Sequence, residues 1–366
     1  MLRSIGKALA GALLGIALLN GNGNAGTFPR PAAVESNVQF WVDVFTGYGE
    51  RDFIIHDKDQ VWRVYQVMHL PGEGAPGRSD VDSMNDYLKM KYSGILKRLA
   101  TGAQPADYDE RRVAELFKGE PLSAYTLAAE NLRVQQGMRQ RFAEGILRSR
   151  YYRPTMERIF RAAGLPAELV TLAEIESGFQ SSAKSGAGAV GIWQFTRDTG
   201  KEYMRITRYH DDRLDPTTET HAAAELLRSN YNALGNWPLA ITAYNYGTGG
   251  MANAASQYNS DYEKIVRNYG GSRFGFASKN YYPEFLAALQ VHEYEDKYFP
   301  ELKYQETPVP PPVRTDFAPP HHAASVHRVS THRSSHRTRS RRSAARTIRV
   351  RGQQSRLAES GGTTPS

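Results

Sequence analysis

Between Met84 and Leu99 apolar side chains return every three or four positions, at Met84, Leu88, Tyr92, Ile95, Leu96 and Leu99, and the run stops at Gly102. That period puts them on one face of an α-helix and supplies a glycine for its final turn. The same rhythm runs through "DERRVAELF", "LAAENLRVQQGMRQRFAEGILRSRYYRPTMERIFRAAG" and "HAAAELLRSNYNALG", each ending near a glycine or a turn, and "YYPEFLAALQVHEYEDKYF" closes the patterned region. Residues 38–67 differ, being rich in β-branched and aromatic side chains. They suit a strand pair or a helix followed by a strand, and both readings stay open. "PGEGAPGRSD" (71–80) has the composition of a loop. Few segments beyond residue 80 alternate with period two, and neither a series of βαβ units nor an internal repeat is present. The pattern predicts a mainly α protein.

The two ends depart from this pattern. Residues 1–25 place Arg3 and Lys7 ahead of an apolar run from Ala8 to Leu19 and finish at Gly23-x-Ala25, the layout of a cleaved export signal. That apolar run is shorter than the roughly 20 residues needed to span a bilayer, so no stable membrane anchor is expected and the mature chain should be periplasmic. After Pro300 the chain turns to Pro, Ser, Arg and His with few large apolar groups, and disorder is expected there. The formal charge of +8 lies wholly in residues 301–366; the first 300 residues balance to zero. The expected division is therefore a signal over 1–25, a mostly helical N-terminal region over 26–145, a second domain over 146–300 and a tail over 301–366. With no cysteine, the chain has no disulfides, thiolate metal sites, cysteine nucleophile or lipid-bearing cysteine.

One stretch, "GAGAVGIWQF" (186–195), spells G-x-G-x-x-G with Gly186, Gly188 and Gly191, and Asp211 lies about twenty residues further on, the layout of a dinucleotide-binding turn. Such a turn needs a buried strand running into its first glycine. Here "SGFQSSAKS" precedes it, polar and without an apolar run, so the glycines serve another purpose: a thin loop whose backbone approaches something closely. Upstream, "GLPAELVTLAEIESGF" reads as a helix. At 100° per residue Glu176 falls within the stripe of Leu165, Leu169, Leu172 and Ala173, while Glu174 faces water. A carboxylate on a buried face has its pKa raised, which is what a general acid needs near neutral pH.

Three motifs now stand in order: Glu176-Ser177 ending a helix, Gly191-Ile192-Trp193-Gln194 behind a small-residue loop, and Ala243-Tyr244-Asn245-Tyr246-Gly247. In this order and spacing the chain resembles the lytic transglycosylases of bacterial cell walls, which share the goose-type lysozyme-like fold. Residues 38–300 resemble the membrane-bound lytic murein transglycosylase D branch in particular. Two departures stand out: a basic tail replaces the LysM repeats that many members carry, and the lipoprotein cysteine of some members is absent.

The resemblance implies an enzyme that needs no cofactor or metal and acts on peptidoglycan strands. It would cleave the β-1,4 bond between N-acetylmuramic acid and N-acetylglucosamine and leave 1,6-anhydro ends, with Glu176 as acid and then base. It also implies that Ser185, Gln194, Tyr244, Asn245 and Tyr281 bind or position substrate, with Tyr282 a competitor for the role of Tyr281. Trp193 and Phe195 suit either sugar contact or the core, and Ser177 a cap or a packing role. A hydrolytic lysozyme and a non-catalytic peptidoglycan-binding protein are the alternatives. The pair His221 and Glu225 reads as helix surface rather than metal ligands, and His321-His322 as an adventitious metal site at most. The Arg-rich stretch from Arg328 to Arg351 follows an export signal, so anionic envelope polymers suit it better than nucleic acid.

Overall fold

The segment 38–67, compatible with two readings, forms a helix followed by two strands in the computed structural model, which describes residues 27–312 and 315–317. The expected export signal, and the tail from residue 318 onward, lie outside the described residues. Helix α1 (Glu35–Thr46) buries Val38, Phe40, Trp41, Val42, Val44 and Phe45, apolar groups on nearly all its sides. Strands β1 (Asp52–Asp57) and β2 (Val64–His69) then pair antiparallel, with Ile54 opposite Val67. Helices α2 (Arg78–Ala100), α3 (Tyr108–Leu116) and α4 (Leu122–Glu130) follow, and β3 (Leu132–Gln136) completes a sheet of order β2-β1-β3.

The central strand is buried on both faces, and its alternation divides the interior in two. Phe53 and Ile55 join Tyr65 and the predicted α2 face of Leu88, Tyr92, Leu96 and Leu99 in a smaller core. Ile54 enters the main core with α1 and the second half of the chain. Strand β3 corrects the sequence reading, which ran a helical rhythm through residues 127–164. Leu132 and Val134 alternate with polar neighbours, but so short a signal is masked by the helical rhythm on either side, and pairing with β1 overrides the local pattern. Gly137 makes that exit feasible: a Cβ there would lie 2.3 Å from the Gly49 carbonyl oxygen and 2.5 Å from that of Tyr48. The N-terminal region is thus helical around a small sheet.

Helix α5 (Arg139–Ala162) continues without a break across residue 145. A 3₁₀ turn (Ala167–Thr171) leads into the short α6 (Leu172–Ser177). Beyond it stand α7 (Arg197–Tyr203), α8 (Pro216–Leu234), α9 (Trp237–Tyr246), α10 (Thr248–Gln257), α11 (Tyr262–Asn268) and α12 (Phe276–Glu293). Side chains start several of them: Asp215 accepts from the Thr218 amide at 2.7 Å, and Asn236 from that of Leu239 at 3.0 Å. Each such cap contributes about 1 kcal/mol. Helix α12 is the hub, packing on α1, α6 and α9 and burying Tyr281, Tyr282, Phe285, Leu286 and Val291. The fold is mainly α, as the pattern predicted.

The composition change after Pro300 does not mark the end of the packed chain, a second correction. Arg150 donates to the Leu302 and Gln305 carbonyls at 3.0 and 3.1 Å, and Pro310, Pro311 and Pro312 border a cavity with Tyr151, Tyr152 and Pro216. The Asp211 amide donates to the Thr315 carbonyl at 2.9 Å, and that of Phe317 to Tyr209 at 2.8 Å. Proline and main-chain groups hold this segment, and neither registers as an apolar pattern. Among the described residues, no helix is long and apolar enough to cross a membrane.

Candidate active site

Glu176 sits in the last turn of α6, which Gly178 ends in the left-handed conformation at φ 57°. Its carboxylate accepts a hydrogen bond from the Tyr281 hydroxyl of α12. Burial pushes its pKa from the usual 4.5 up to about 7, and the tyrosine bond opposes that rise. Its neighbour departs from the predicted helix face. Glu174, expected in water, is 5% exposed, whereas Glu176 is half-buried. One packed side and a uniform 100° step would have left Glu174 in water. The turn before α6 is 3₁₀, and α6 is enclosed by both α5 and α12. Glu174 reaches His292 of α12 at 3.2 Å, and a Cβ on Gly145 of α5 would collide with its carboxylate. Burial raises Glu174 to about 8 and drives the His292 imidazole well below its ordinary value.

Two tyrosines define the wall around Glu176. The Tyr244 and Tyr281 rings stack with centroids 6.4 Å apart and planes 9° from parallel. The Tyr244 hydroxyl donates to the Trp193 carbonyl at 2.8 Å, which ties α9 to the glycine-rich loop. Burial, then the Glu176 charge, lifts both phenols well above 10, so they act as neutral donors. Asn245 accepts from the Ser278 hydroxyl at 2.9 Å and braces α9 against α12. Tyr282, the competitor, is fully buried and donates to the Pro29 carbonyl at 2.6 Å, a packing role.

The loop explains its glycines. Gly191 has φ 90°, and a Cβ there would fall 2.0 Å from the Arg213 carbonyl oxygen and 2.4 Å from the Glu219 carboxylate. Asp211, placed where a ribose-binding acid would stand, is instead paired with Arg213 at 2.7 Å. Glu219, fully buried on α8, accepts from the Trp193 amide at 3.1 Å beneath the loop. Ser177 donates to the Ile192 carbonyl at 2.8 Å and so joins α6 to the loop from the other side. Gln194, at φ 51°, directs its amide nitrogen to the Gly191 carbonyl at 2.8 Å. That donor serves the loop. The exposed Ser185 accepts from the Ala189 amide at 3.0 Å and closes the 185–189 turn.

Tyr281 therefore touches Glu176 directly and Tyr244 stacks on Tyr281, while Asn245 braces α9, Gln194 bonds within the loop and Ser185 closes a surface turn. Trp193 and Phe195 belong to the core: the Trp193 ring stacks on Phe160 at 5.4 Å and donates to Thr220 at 3.0 Å, and Phe195 is 2% exposed. Sequence reasoning missed Glu219, although it shares a helical face with the buried Ala223 and Leu227. It also missed Glu284, which lines a cavity of about 350 Å³ with Glu174 and Glu176. His221 and Glu225 stand exposed on α8, and no cluster of metal-ligating side chains occurs among the described residues.

The helical stretch that carries Glu176, the glycine loop and Tyr244 overlaps a described family domain. Residues 157–266 match the transglycosylase SLT domain. The chain is also similar to the membrane-bound lytic murein transglycosylase D of Escherichia coli strain K12, 33% identical over 136 residues, 37% of this chain and 30% of that protein. A putative tributyltin chloride resistance protein of Alteromonas sp. strain M-1 is 33% identical over 104 residues, 28% of this chain and 50% of that one. The matches thus span half or less of these relatives' lengths. Among solved structures, the 70 kDa soluble lytic transglycosylase Slt70 of Escherichia coli aligns with 59% of this chain and 35% of its own, at 19% identity and a TM-score of 0.34. An inactive variant of the lytic transglycosylase Slt of Pseudomonas aeruginosa aligns with 50% and 27%, at 17% identity and the same score.

Proposed function

We propose that this chain is a peptidoglycan lytic transglycosylase that cleaves the β-1,4 bond between N-acetylmuramic acid and N-acetylglucosamine. The observation that carries the reading is the Glu176 carboxyl, raised to about 7 and held by Tyr281. Near neutral pH such a group is populated in both protonation states, as a residue that gives and then takes a proton requires. Glu176 donates its proton to the glycosidic oxygen as the bond to the anomeric carbon breaks. The carbonyl oxygen of the substrate's own acetamido group attacks that carbon, so no second protein carboxylate is required as nucleophile. The Glu176 carboxylate then takes the proton of the C6 hydroxyl, and that oxygen displaces the acetamido oxygen. A 1,6-anhydro ring results, no water is consumed, and Glu176 is protonated again. Tyr281 holds the carboxylate in both states, and Tyr244 keeps the loop carbonyl of Trp193 and the ring wall in register.

The reading extends to the cell. The export signal places the enzyme in the periplasm, and the basic residues beyond 317 favour anionic envelope polymers near the wall. Mass analysis of digested sacculi tests the chemistry. Anhydro ends, lighter than hydrolysed ends by one water, are expected from the wild type and absent with Glu176→Gln. Hydrolysed ends would assign a lysozyme, and binding without released fragments a wall-binding protein.

A further inference from the structure

Glu284 lies one helical turn beyond Tyr281 on α12, so the tyrosine that binds Glu176 and this second carboxylate share a face. Both acids line the same cavity. The other charged side chains around that cavity are already engaged. Arg141 pairs with Glu50 at 2.7 Å, Arg148 with Glu144 at 3.3 Å, and Glu174 with His292. Among the described residues the Glu284 carboxylate takes part in no hydrogen bond or ion pair. Arg133 of β3 lies over the Phe276 ring at 3.9 Å, at the start of α12, with its Nε buried and unbonded, and its charge opposes the rise that burial gives the Glu284 carboxyl.

We propose that Glu284 is a positioning residue for the proton of Glu176, that the two carboxyls share their last proton across the cavity, and that Arg133 sets how tightly they hold it. The inference rests on the reading of Glu176 as the acid. Two carboxyls in one poorly solvated space cannot both ionise freely, because the second charge forms against the first. Consistent with this, Glu284 is raised to about 8, by burial first and the Glu176 charge second, with Arg133 opposing. The consequence is a wider working range. Where an isolated acid would have lost its proton, the singly charged pair still keeps it on Glu176 part of the time. The N-terminal sheet thereby acts on the acid through a single guanidinium, without touching substrate.

The test is a carboxyl ¹³C NMR titration of the glutamate-labelled full chain, with the Glu176 resonance assigned from its loss in Glu176→Gln. In the wild type Glu176 should titrate over a broadened range. In Glu284→Gln it should titrate in one step at lower pH, because the proton is no longer shared. Arg133→Gln should leave the shared proton on Glu284 and move Glu176 to lower pH, and Arg133→Lys should restore it. The alkaline limb of anhydro-end release should follow in each case. In the Glu284→Gln background Arg133→Gln should move Glu176 no further, which loosened packing would not give, and either variant alone still tests the coupling if the other fails to fold. An unchanged Glu176 curve in Glu284→Gln, or movement of Glu176 to higher pH in Arg133→Gln, would overturn the proposal. Absence of anhydro ends from every form would instead strike the assigned reaction and leave the titration result standing.

Discussion

Replacing Tyr281 by phenylalanine removes one hydroxyl and leaves the stacked ring wall in place. In the structure that hydroxyl donates to the Glu176 carboxylate, and a donor stabilises the charged form more than the neutral one. Its loss should therefore raise the Glu176 pKa above about 7, although activity falls. A hydrogen bond to a charged group is worth about 1.5–3 kcal/mol, and one pKa unit is about 1.4 kcal/mol, so the expected rise is about 1–2 units. The assay is release of anhydro ends from sacculi between about pH 5 and 10. Protonated Glu176 is the active form in the first step, so activity is present below its pKa and declines about tenfold per unit above it. The variant should show a lower plateau whose alkaline limb lies at higher pH than that of the wild type. A limb that stays in place or moves to lower pH would refute the role given to this bond.

Gly191→Ala should lower stability by about 3 kcal/mol or more, because it adds left-handed strain to a collision with the Arg213 carbonyl. Gly188→Ala, at φ 83° with open space around it, should cost only about 1–2 kcal/mol; thermal melts that rank the two equally would remove the close-approach argument. Glu174 is raised to about 8 against an ordinary 4.5, so the native state keeps a proton that the unfolded chain has lost. Its contribution to stability must fall as pH rises from about 4.5 to about 8, and Glu174→Gln should flatten the melting temperature across that window; an unchanged slope would contradict the burial assigned to it. Truncation after Phe317 removes ten arginines against one glutamate and leaves the packed segment in place. Binding to intact sacculi should weaken at low salt, and the difference should shrink as the screening length falls to about 8 Å, with activity on short soluble glycans retained. Equal binding by both forms at low salt would leave the charge without a role at the wall.

The sequence by itself determined the helical class, the α2 face from Leu88 to Leu99, and the three motifs that meet around Glu176. Periodic apolar spacing and short motifs are local, and their spacing survives whatever packs against them. The dismissal of the nucleotide reading was local as well, since no strand precedes Gly186. Residues whose role depends on a distant partner stayed hidden. Strand β3 exists because β1 offers it an edge some eighty residues away in the chain. Glu174 is buried because α5 and α12 close over a helix that, read alone, shows only one apolar side. Glu219 looks like any polar residue of α8 until the Gly191 loop descends on it. Trp193 is a plausible sugar platform until Phe160 takes its face. Glu284 becomes a neighbour of Glu176 only when α12 is laid beside α6. Burial and electrostatic coupling are set by everything that surrounds a group in space. A helical repeat reports one face of one element, so the tertiary structure alone decided which carboxyls lost their water.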